Sequence, residues 1–279
     1  MYPAQFDYYR PTTIDEAVKL LAQHGEDAKL LAGGHSLIPA MKLRLARPKT
    51  IVDLGRVSDL SYIREAGGRL AIGAMTTHAE IAASPLLRDG CPLLPATALR
   101  IGDMQVRNKG TIGGSLAHAD PAADWPAAAL ALEAEIDIVG PRGRRTVRAD
   151  LFFVDLLQTA IGPGEILLEI RVPRTPRSVA YVKTAQKASG FALTGVAVVV
   201  TGRTARVAVT GVAAKPYRAA AVEQALAADA LTPERIARAA AHAADGVEPL
   251  GDIHASAEFR AHLARVNTRR ALIEAIDRL

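Results

Sequence analysis

Apolar residues recur with two different periods along the chain, and the changes of period separate its predicted elements. Residues 13–24 (TIDEAVKLLAQH) carry apolar side chains at helical spacing, with Thr13 and Glu16 as a capping box and Gly25 as the stop. The stretches AKLLAGG (28–34), which runs into a Gly-Gly turn, and TIVDL (50–54) predict strands. The first 55 residues therefore predict a small α/β unit.

Strand and helix patterns alternate in the next segment. The predicted strands are 70–77, two arms of a hairpin within 135–149, and 165–173, and the predicted helices are 76–84, 92–102 and 121–134. Thr77 and Glu80 form a second capping box. Asp120 is expected to cap a helix that begins at Pro121, since proline is favoured in the first helical position.

The last hundred residues group strands before helices. Residues 179–216 predict three antiparallel strands, with a turn at TGRT (201–204) between the last two. Helices are predicted at 219–227, 233–244 and 257–279. This order is typical of α+β architecture, so we predict an α+β protein with divisions at 1–55, 56–177 and 178–279.

Composition and charge exclude several classes of protein. Apolar residues make up 49% of the 279 residues but aromatic residues only 4%, which indicates a core of small side chains. The net charge is +5 without a run of five basic residues, so no nucleic-acid partner is expected. Cys91 is the single cysteine, which excludes an internal disulfide and a four-cysteine zinc or iron–sulfur site. No apolar run reaches eighteen residues, so we expect a cytoplasmic protein without a transmembrane segment.

Two segments with paired glycines are the strongest chemical signal. They are LLAGGHSL (30–37) and TIGGS (111–115). Paired glycines let a ligand approach the backbone, successive N–H groups attract an anion, and a neighbouring hydroxyl adds a donor. Two such segments could hold a diphosphate from two sides, and two tight turns without a ligand are the alternative. The sequence contains neither a G-x-G-x-x-G helix start nor a P-loop.

Two other chemical interpretations remain open on the residues alone. His118, Asp120 and Asp124 could ligate a metal ion, although no second histidine cluster supports this. His35 and Ser36 could belong to a hydrolase triad, although GGHSL lacks the G-x-S-x-G elbow. We therefore expect no metal site and no catalytic residue in this chain.

Longer stretches around both glycine segments resemble a known family. AGGHSLIPAMKLRLARP (32–48) and RIGDMQVRNKGTIGGSLAHADPAADWPAA (100–128) resemble the FAD-binding medium subunits of the molybdenum hydroxylases, above all those of the aerobic carbon monoxide dehydrogenase branch. The flavin domain of xanthine dehydrogenase belongs to the same fold family. GPGEILLEIRVP and YVKTAQKASGFA extend the resemblance, which is weak only in the C-terminal helices.

The resemblance implies two α/β subdomains that clasp non-covalent FAD, followed by a domain with a three-stranded antiparallel sheet and a helical bundle. It implies that Gly114 presents its N–H to the diphosphate, whereas Gly195 is expected to lie away from the site. Ser115 stands where the family often has asparagine. The implied cofactor-binding residues are Leu30, Leu31, Ala32, Gly33, Gly34, His35, Ser36 and Leu37 in a first diphosphate loop, Thr111, Ile112, Gly113, Gly114 and Ser115 in a second, Asp124 on the flavin side, and Ile101, Leu167 and Lys183 near the adenine or isoalloxazine.

The resemblance also implies a role in electron transfer. Electrons would pass from molybdopterin on a large partner subunit, through [2Fe–2S] clusters on a small partner subunit, to FAD on this chain and then to an external acceptor. A dimer of heterotrimers is the implied assembly, and carbon monoxide, aldehydes and N-heterocycles remain open as substrates. The alternatives are a stand-alone FAD oxidase or reductase, in which His35 or His78 could serve as attachment or base, and a non-enzymatic interaction protein.

Overall fold

Strands of the computed structural model, which describes residues 1–227 and 231–278, build three larger sheets and one small hairpin. The strands are β1 Asp7–Tyr9, β2 Ala28–Leu31, β3 Thr50–Asp53, β4 Ile63–Ala66, β5 Arg69–Gly73, β6 Glu135–Gly140, β7 Gly143–Arg148, β8 Phe153–Asp155, β9 Gln158–Thr159, β10 Ile166–Pro173, β11 Val179–Ala185, β12 Ala192–Thr201, β13 Thr204–Thr210 and β14 Tyr217–Arg218. The helices are α1 Ile14–His24, α2 Leu37–Lys42, α3 His78–Ala83, α4 Pro85–Gly90, α5 Leu93–Ala98, α6 Met104–Arg107, α7 Ile112–His118, α8 Trp125–Ala131, α9 Ala149–Phe152, α10 Ala220–Leu226, α11 Pro233–Ala240 and α12 Ala257–Ile276.

The N-terminal unit is a parallel sheet of order β1-β3-β2 with α1 packed beside it. Thr13 caps α1 as predicted, because its hydroxyl accepts from the Glu16 amide at 3.2 Å. The reciprocal bond differs from the expected capping box, since the Glu16 carboxylate accepts from the amide of Thr12 instead of Thr13. Gly25 ends the helix with φ +54°, a conformation that favours glycine.

The second sheet has the order β4-β5-β10-β6-β7, and its central strand joins the first two units. Ile166 and Leu168 on β10 pack into the core of the N-terminal unit. Leu167 and Ile170 pack into the large core of the second unit. The first three residues of β10, Ile166–Leu168, are therefore apolar on both faces, whereas Glu169 and Arg171 alternate with Ile170 and Val172 in its second half. The first two units therefore meet along a shared strand.

The third sheet has four antiparallel strands, β11-β12-β13-β14, one more than predicted. The additional strand is the two-residue β14, which pairs with the end of β13. Along β12, Ala197 and Val199 pack into the core of the second unit, whereas Val196 and Val198 face the core built with the C-terminal helices. The uninterrupted run GVAVVV follows from burial on both faces of this strand.

Several predicted helices begin or end elsewhere. The helix predicted to start at Pro121 starts at Trp125, because the Asp120 carboxylate accepts from the Ala122 amide at 2.8 Å and closes a turn there. Pro126 takes the N-terminal proline position instead. The C-terminal helices are shorter than predicted, and the predicted end at residue 279 lies outside the described residues.

The sequence interpretation missed several short elements. The second glycine segment lies in the first turn of a helix, α7, and LIPAMK also forms a helix, α2. The pattern gave no sign of the small β8–β9 hairpin or of β4. No helix in residues 1–227 and 231–278 is long and apolar enough to span a membrane.

A buried arginine fastens α12 to the third sheet. Arg260 is 6% exposed. Its Nη1 donates to the carbonyls of Leu193 (2.8 Å) and Gly211 (2.7 Å), and its Nη2 pairs with the carboxylate of Asp252 (2.6 Å). This pairing lowers the pKa of Asp252 to about 2. Removal of the guanidinium would take three hydrogen bonds from this network, although Leu193 O and Asp252 Oδ1 keep other donors.

We expect Arg260→Ala to lower the free energy of unfolding by about 2–4 kcal/mol, because breaking one side of a buried polar network is strongly destabilising. Urea denaturation followed by circular dichroism measures the change. Arg270→Ala, at an exposed position of the same helix, should change the value by less than about 0.5 kcal/mol. Equal losses in the two variants would contradict the assigned role of Arg260.

Candidate cofactor site

The first glycine segment, residues 30–37, leaves the end of β2 and turns into α2. Gly34 has φ +77°, which a residue with a side chain rarely adopts. The backbone amides from Gly33 to Leu37 have no hydrogen-bond partner among the described residues. The flanking carbonyls of Gly34 and Ser36 instead accept from the first turn of α2. The segment therefore presents five successive N–H donors on one turn.

The second glycine segment has a different geometry. Thr111 is the N-cap of α7, and its hydroxyl accepts from the Gly114 amide at 3.1 Å. The expectation that Gly114 offers its N–H to a diphosphate is therefore wrong for this structure, because the threonine cap occupies it. Neither Gly113 nor Gly114 has a positive φ. Their glycine identity therefore has a steric cause.

The other amides of this turn are also used within the protein. They donate from Ile112 to Thr76 O (3.1 Å), from Gly113 to Ala74 O (2.9 Å) and from Ser115 to Thr111 O (3.1 Å). The hydroxyl of Ser115 is half-buried and has no partner among the described residues. The second segment therefore offers a hydroxyl and a rigid backbone, whereas the first offers amides.

The first glycine segment packs closely against the second one and against the two residues that precede it. A Cβ placed on Gly33 would lie 2.2 Å from the carbonyl oxygen of Lys109 and 2.7 Å from the Cα of Gly110. A Cβ on Gly114 would lie 3.2 Å from the Cβ of Ala32. Two chain segments that are 76 to 82 residues apart in sequence thus form one continuous surface, and only glycine permits the approach.

A buried histidine lies directly behind this contact. His78 is 4% exposed, its amide donates to Gly110 O (3.0 Å), and its Nδ1 accepts from the Nε1 of Trp125 at 3.1 Å. Burial, together with the smaller effects of the nearby His35 and Arg107, lowers the pKa of His78 to about 4. The ring is therefore neutral at pH 7. The sequence interpretation considered His78 only as a flavin attachment or a base.

Asp124 is held in a buried polar cluster with two side chains of β11. Its carboxylate accepts from the hydroxyl of Tyr181 at 2.6 Å and from the Nζ of Lys183 at 2.8 Å. Lys183 Nζ also donates to the carbonyl of Arg100 at 2.9 Å. Burial raises the pKa of Asp124, while Lys183 and Tyr181 act in the opposite direction. The cluster connects the second unit to the third.

Gly195 belongs to the surroundings of this cluster. A Cβ on Gly195 would lie 2.3 Å from the hydroxyl oxygen of Tyr181, which holds Asp124. The expectation that Gly195 lies away from the site is therefore wrong. Sequence separation hid the contact, because β12 pairs with β11 and brings Gly195 opposite Lys183.

The remaining predicted site residues lie at different depths. Ile101 is half-buried beside the cluster, and its carbonyl accepts from Arg107 Nη1 at 3.0 Å. Leu167 is 5% exposed, with its side chain inside the large core. His35 and Ser36 are exposed on the first segment. The sequence interpretation did not name Arg107 among the site residues, although it lies inside the segment that carries the resemblance.

The geometry does not assemble the alternative sites. His118 and Asp120 are 4.0 Å apart, and Asp124 is paired with Lys183 instead of joining them. No group of three His, Cys, Asp or Glu side chains within the described part of the chain is placed to hold a metal ion. Cys91 is buried, and burial raises the pKa of its thiol to about 12, so it is not a reactive thiolate.

Comparisons with known proteins agree along the whole chain. Residues 4–175 match the family profile described as FAD binding domain in molybdopterin dehydrogenase, and residues 179–275 match the CO dehydrogenase flavoprotein C-terminal domain. The carbon monoxide dehydrogenase medium chain of Hydrogenophaga pseudoflava is 42% identical over 98% of this chain and 97% of its own. The nicotine 6-hydroxylase medium subunit of Paenarthrobacter nicotinovorans is 38% identical over 96% of both chains. A solved structure of the Hydrogenophaga pseudoflava carbon monoxide dehydrogenase superimposes with a TM-score of 0.96 at 44% identity, covering 100% of this chain and 99% of that chain.

We expect Gly33→Ala to weaken FAD binding at least about tenfold, because its Cβ forces the two glycine segments apart and overpacking typically costs about 1–3 kcal/mol. Titration of the apoprotein with FAD, followed by flavin fluorescence, measures the affinity. Gly251→Ala is the matched control, since its Cβ would lie 3.4 Å from the nearest atom, the Ala257 amide nitrogen. Unchanged affinity in a folded Gly33→Ala protein would show that the contact is dispensable.

Stability should fall as the pH decreases from about 6.5 to 4. Because the pKa of His78 is about 4 in the folded chain and 6.5 ordinarily, the unfolded chain binds the proton first. The stabilisation is present above pH 6.5, and its loss by pH 4 is on the order of 3 kcal/mol. Denaturation curves at both pH values, compared with His78→Asn, isolate this contribution. Parallel pH dependence in the two proteins would contradict a buried neutral His78.

Proposed function

The chain belongs to the family of FAD-binding subunits of the molybdenum hydroxylases, and from this premise we propose which of its residues bind FAD. The observation that carries the proposal is the run of five unpartnered amides from Gly33 to Leu37. Charge-assisted hydrogen bonds from successive amides suit a diphosphate, which brings several acceptor oxygens to one place. Leu30, Leu31 and Ala32 lead the chain into this turn.

The second segment complements the first in the proposed site. Its amides hold the turn in place, so that Thr111, Ile112, Gly113 and Gly114 act as a rigid wall against the first segment. Ser115 adds its free hydroxyl as a donor. The donor set fits a diphosphate, because it combines amides and a hydroxyl with no carboxylate among these residues. A site in which one segment provides donors and the other a rigid wall supports non-covalent binding of FAD.

The buried cluster serves the flavin end in this proposal. Asp124 keeps acceptor capacity beyond its bonds to Tyr181 and Lys183, since a carboxylate has about four lone-pair positions. Lys183 fixes the carbonyl of Arg100 and thereby the place of Ile101, whose aliphatic side chain can line a ring. Leu167 supports this wall from the core behind it.

The proposed organisation assigns residues 1–55 and 56–177 to FAD and residues 178–279 to a covering domain. The division is supported by the separate sheets of the three segments. Two strands cross this division. Apolar side chains of β10 pack into the cores of both the first and the second unit, and β11 supplies Lys183 to the site.

The chain acts as the flavoprotein subunit of an oxidoreductase complex. Bound FAD supplies a carrier that accepts electrons from one redox centre and passes them to another. We propose that a small [2Fe–2S] subunit delivers these electrons from a large molybdopterin subunit, in a cytoplasmic dimer of heterotrimers. The one cysteine of the chain is buried, so it cannot provide a cluster site itself.

The substrate of the complex is selected outside this chain in our proposal. A relative named for carbon monoxide and one named for nicotine share similar sequence identity with this chain, 42% and 38%. A flavin subunit that served substrate selection would be expected to differ more between such different chemistries. The resemblance favours a carbon monoxide dehydrogenase-like complex, in which the substrate is oxidised on the large subunit.

We expect the isolated chain to bind one FAD and to prefer it over FMN by at least about tenfold, because FMN lacks the diphosphate and its charge-assisted bonds. Calorimetric titration measures both affinities, and acid precipitation should release the flavin into the supernatant. ADP should compete with FAD whereas adenosine should not. Equal affinity for FMN, or flavin retained in the precipitate, would contradict the proposed site.

A further inference from the structure

One ring, His78, connects the two regions of the proposed FAD site. On one side it packs against Gly110, the residue just before the second glycine segment, and the backbone amide of His78 donates to Gly110 O at 3.0 Å. A Cβ on Gly110 would lie 2.6 Å from His78 Nε2, so the ring fills the space that glycine leaves. On the other side it accepts a hydrogen bond from Trp125, the residue after Asp124.

The Trp125 bond dictates the state of the ring. An indole N–H can only donate, so His78 Nδ1 must be unprotonated and the ring proton resides on Nε2. The two rings are 5.7 Å apart and both side chains are buried. The charged or titratable groups that act on the ring are His35, from the first segment, and Arg107, from α6. Both groups would oppose a second proton.

We propose that His78 is a positioning residue of the FAD site, which holds the second glycine segment in register with the Asp124–Lys183 pair through its hydrogen bond to Trp125. This inference rests on the proposed function. Without the bond, Trp125 is no longer tied to the ring that packs against Gly110, and the FAD-binding arrangement becomes one of several conformations. The apparent affinity then falls in proportion to the competent fraction.

A matched pair of amide variants tests the hydrogen bond directly. His78→Asn places an amide oxygen near the Nδ1 position, where it can accept from Trp125, whereas His78→Gln moves the amide one methylene further out, near Nε2. We expect His78→Gln to weaken FAD binding about tenfold or more and His78→Asn to stay within about threefold of the wild type. Calorimetric titration of the full chain with FAD measures both.

The double-mutant cycle with Trp125→Phe separates a hydrogen bond from ordinary packing. If the two side chains act through their bond, the losses in His78→Gln/Trp125→Phe should be smaller than the sum of the single losses. Trp125 is the only tryptophan, so its emission reports the bond itself and should shift in His78→Gln but not in His78→Asn.

Each outcome distinguishes this inference from the proposed function. A wild-type chain that binds no FAD rejects the proposed function. Wild-type binding together with equal affinities of the Asn and Gln variants, or additive losses in the cycle, overturns the role of His78. Should His78→Gln fail to fold, the emission spectrum and FAD affinity of His78→Asn decide, because loss of binding in that variant also overturns the proposal.

Discussion

The approach of Gly33 to the backbone of Lys109 and Gly110 is the constraint on which the site depends. At this distance there is no room for a side chain, so two segments of different subdomains meet backbone against backbone. The amides of the first segment find no acceptor among the described residues, whereas those of the second segment donate to protein oxygens. The proposed anion-binding surface thus lies at a junction between units that are far apart in sequence.

Buried polar groups link this contact to the second and third units of the molecule. Trp125 carries the contact from His78 to the neighbouring Asp124, which in turn is paired with Lys183 of the third sheet. Such groups stabilise a fold only when each finds its partner, so they specify one relative placement of the three units. In the proposed site, the same placement brings residues of all three units to one cofactor.

The sequence predicted those parts of the fold that local patterns determine. The Thr77–Glu80 capping box, the β6–β7 hairpin and the strands β11 to β13 were all confirmed, because caps, turn residues and alternating apolar positions are local signals. The start of α8 was wrong, since a turn closed by Asp120 competes with the helix. The glycine pairs marked both segments, but the two segments play unequal roles because only the second finds acceptors for its amides among the described residues. The spacing of residues along the sequence reveals neither these hydrogen-bond partners nor the contact of Gly195 with Tyr181.

Amide hydrogen exchange with and without FAD tests the central claim most directly. The account predicts rapid exchange of the amides from Gly33 to Leu37 in the apoprotein and strong protection when FAD is bound, because only the cofactor supplies their acceptors. The amides from Ile112 to Ser115 should be protected in both states, since protein oxygens already accept from them. Exchange at residues 33–37 that stayed rapid at saturating FAD, with new protection at residues 112–115 instead, would contradict it.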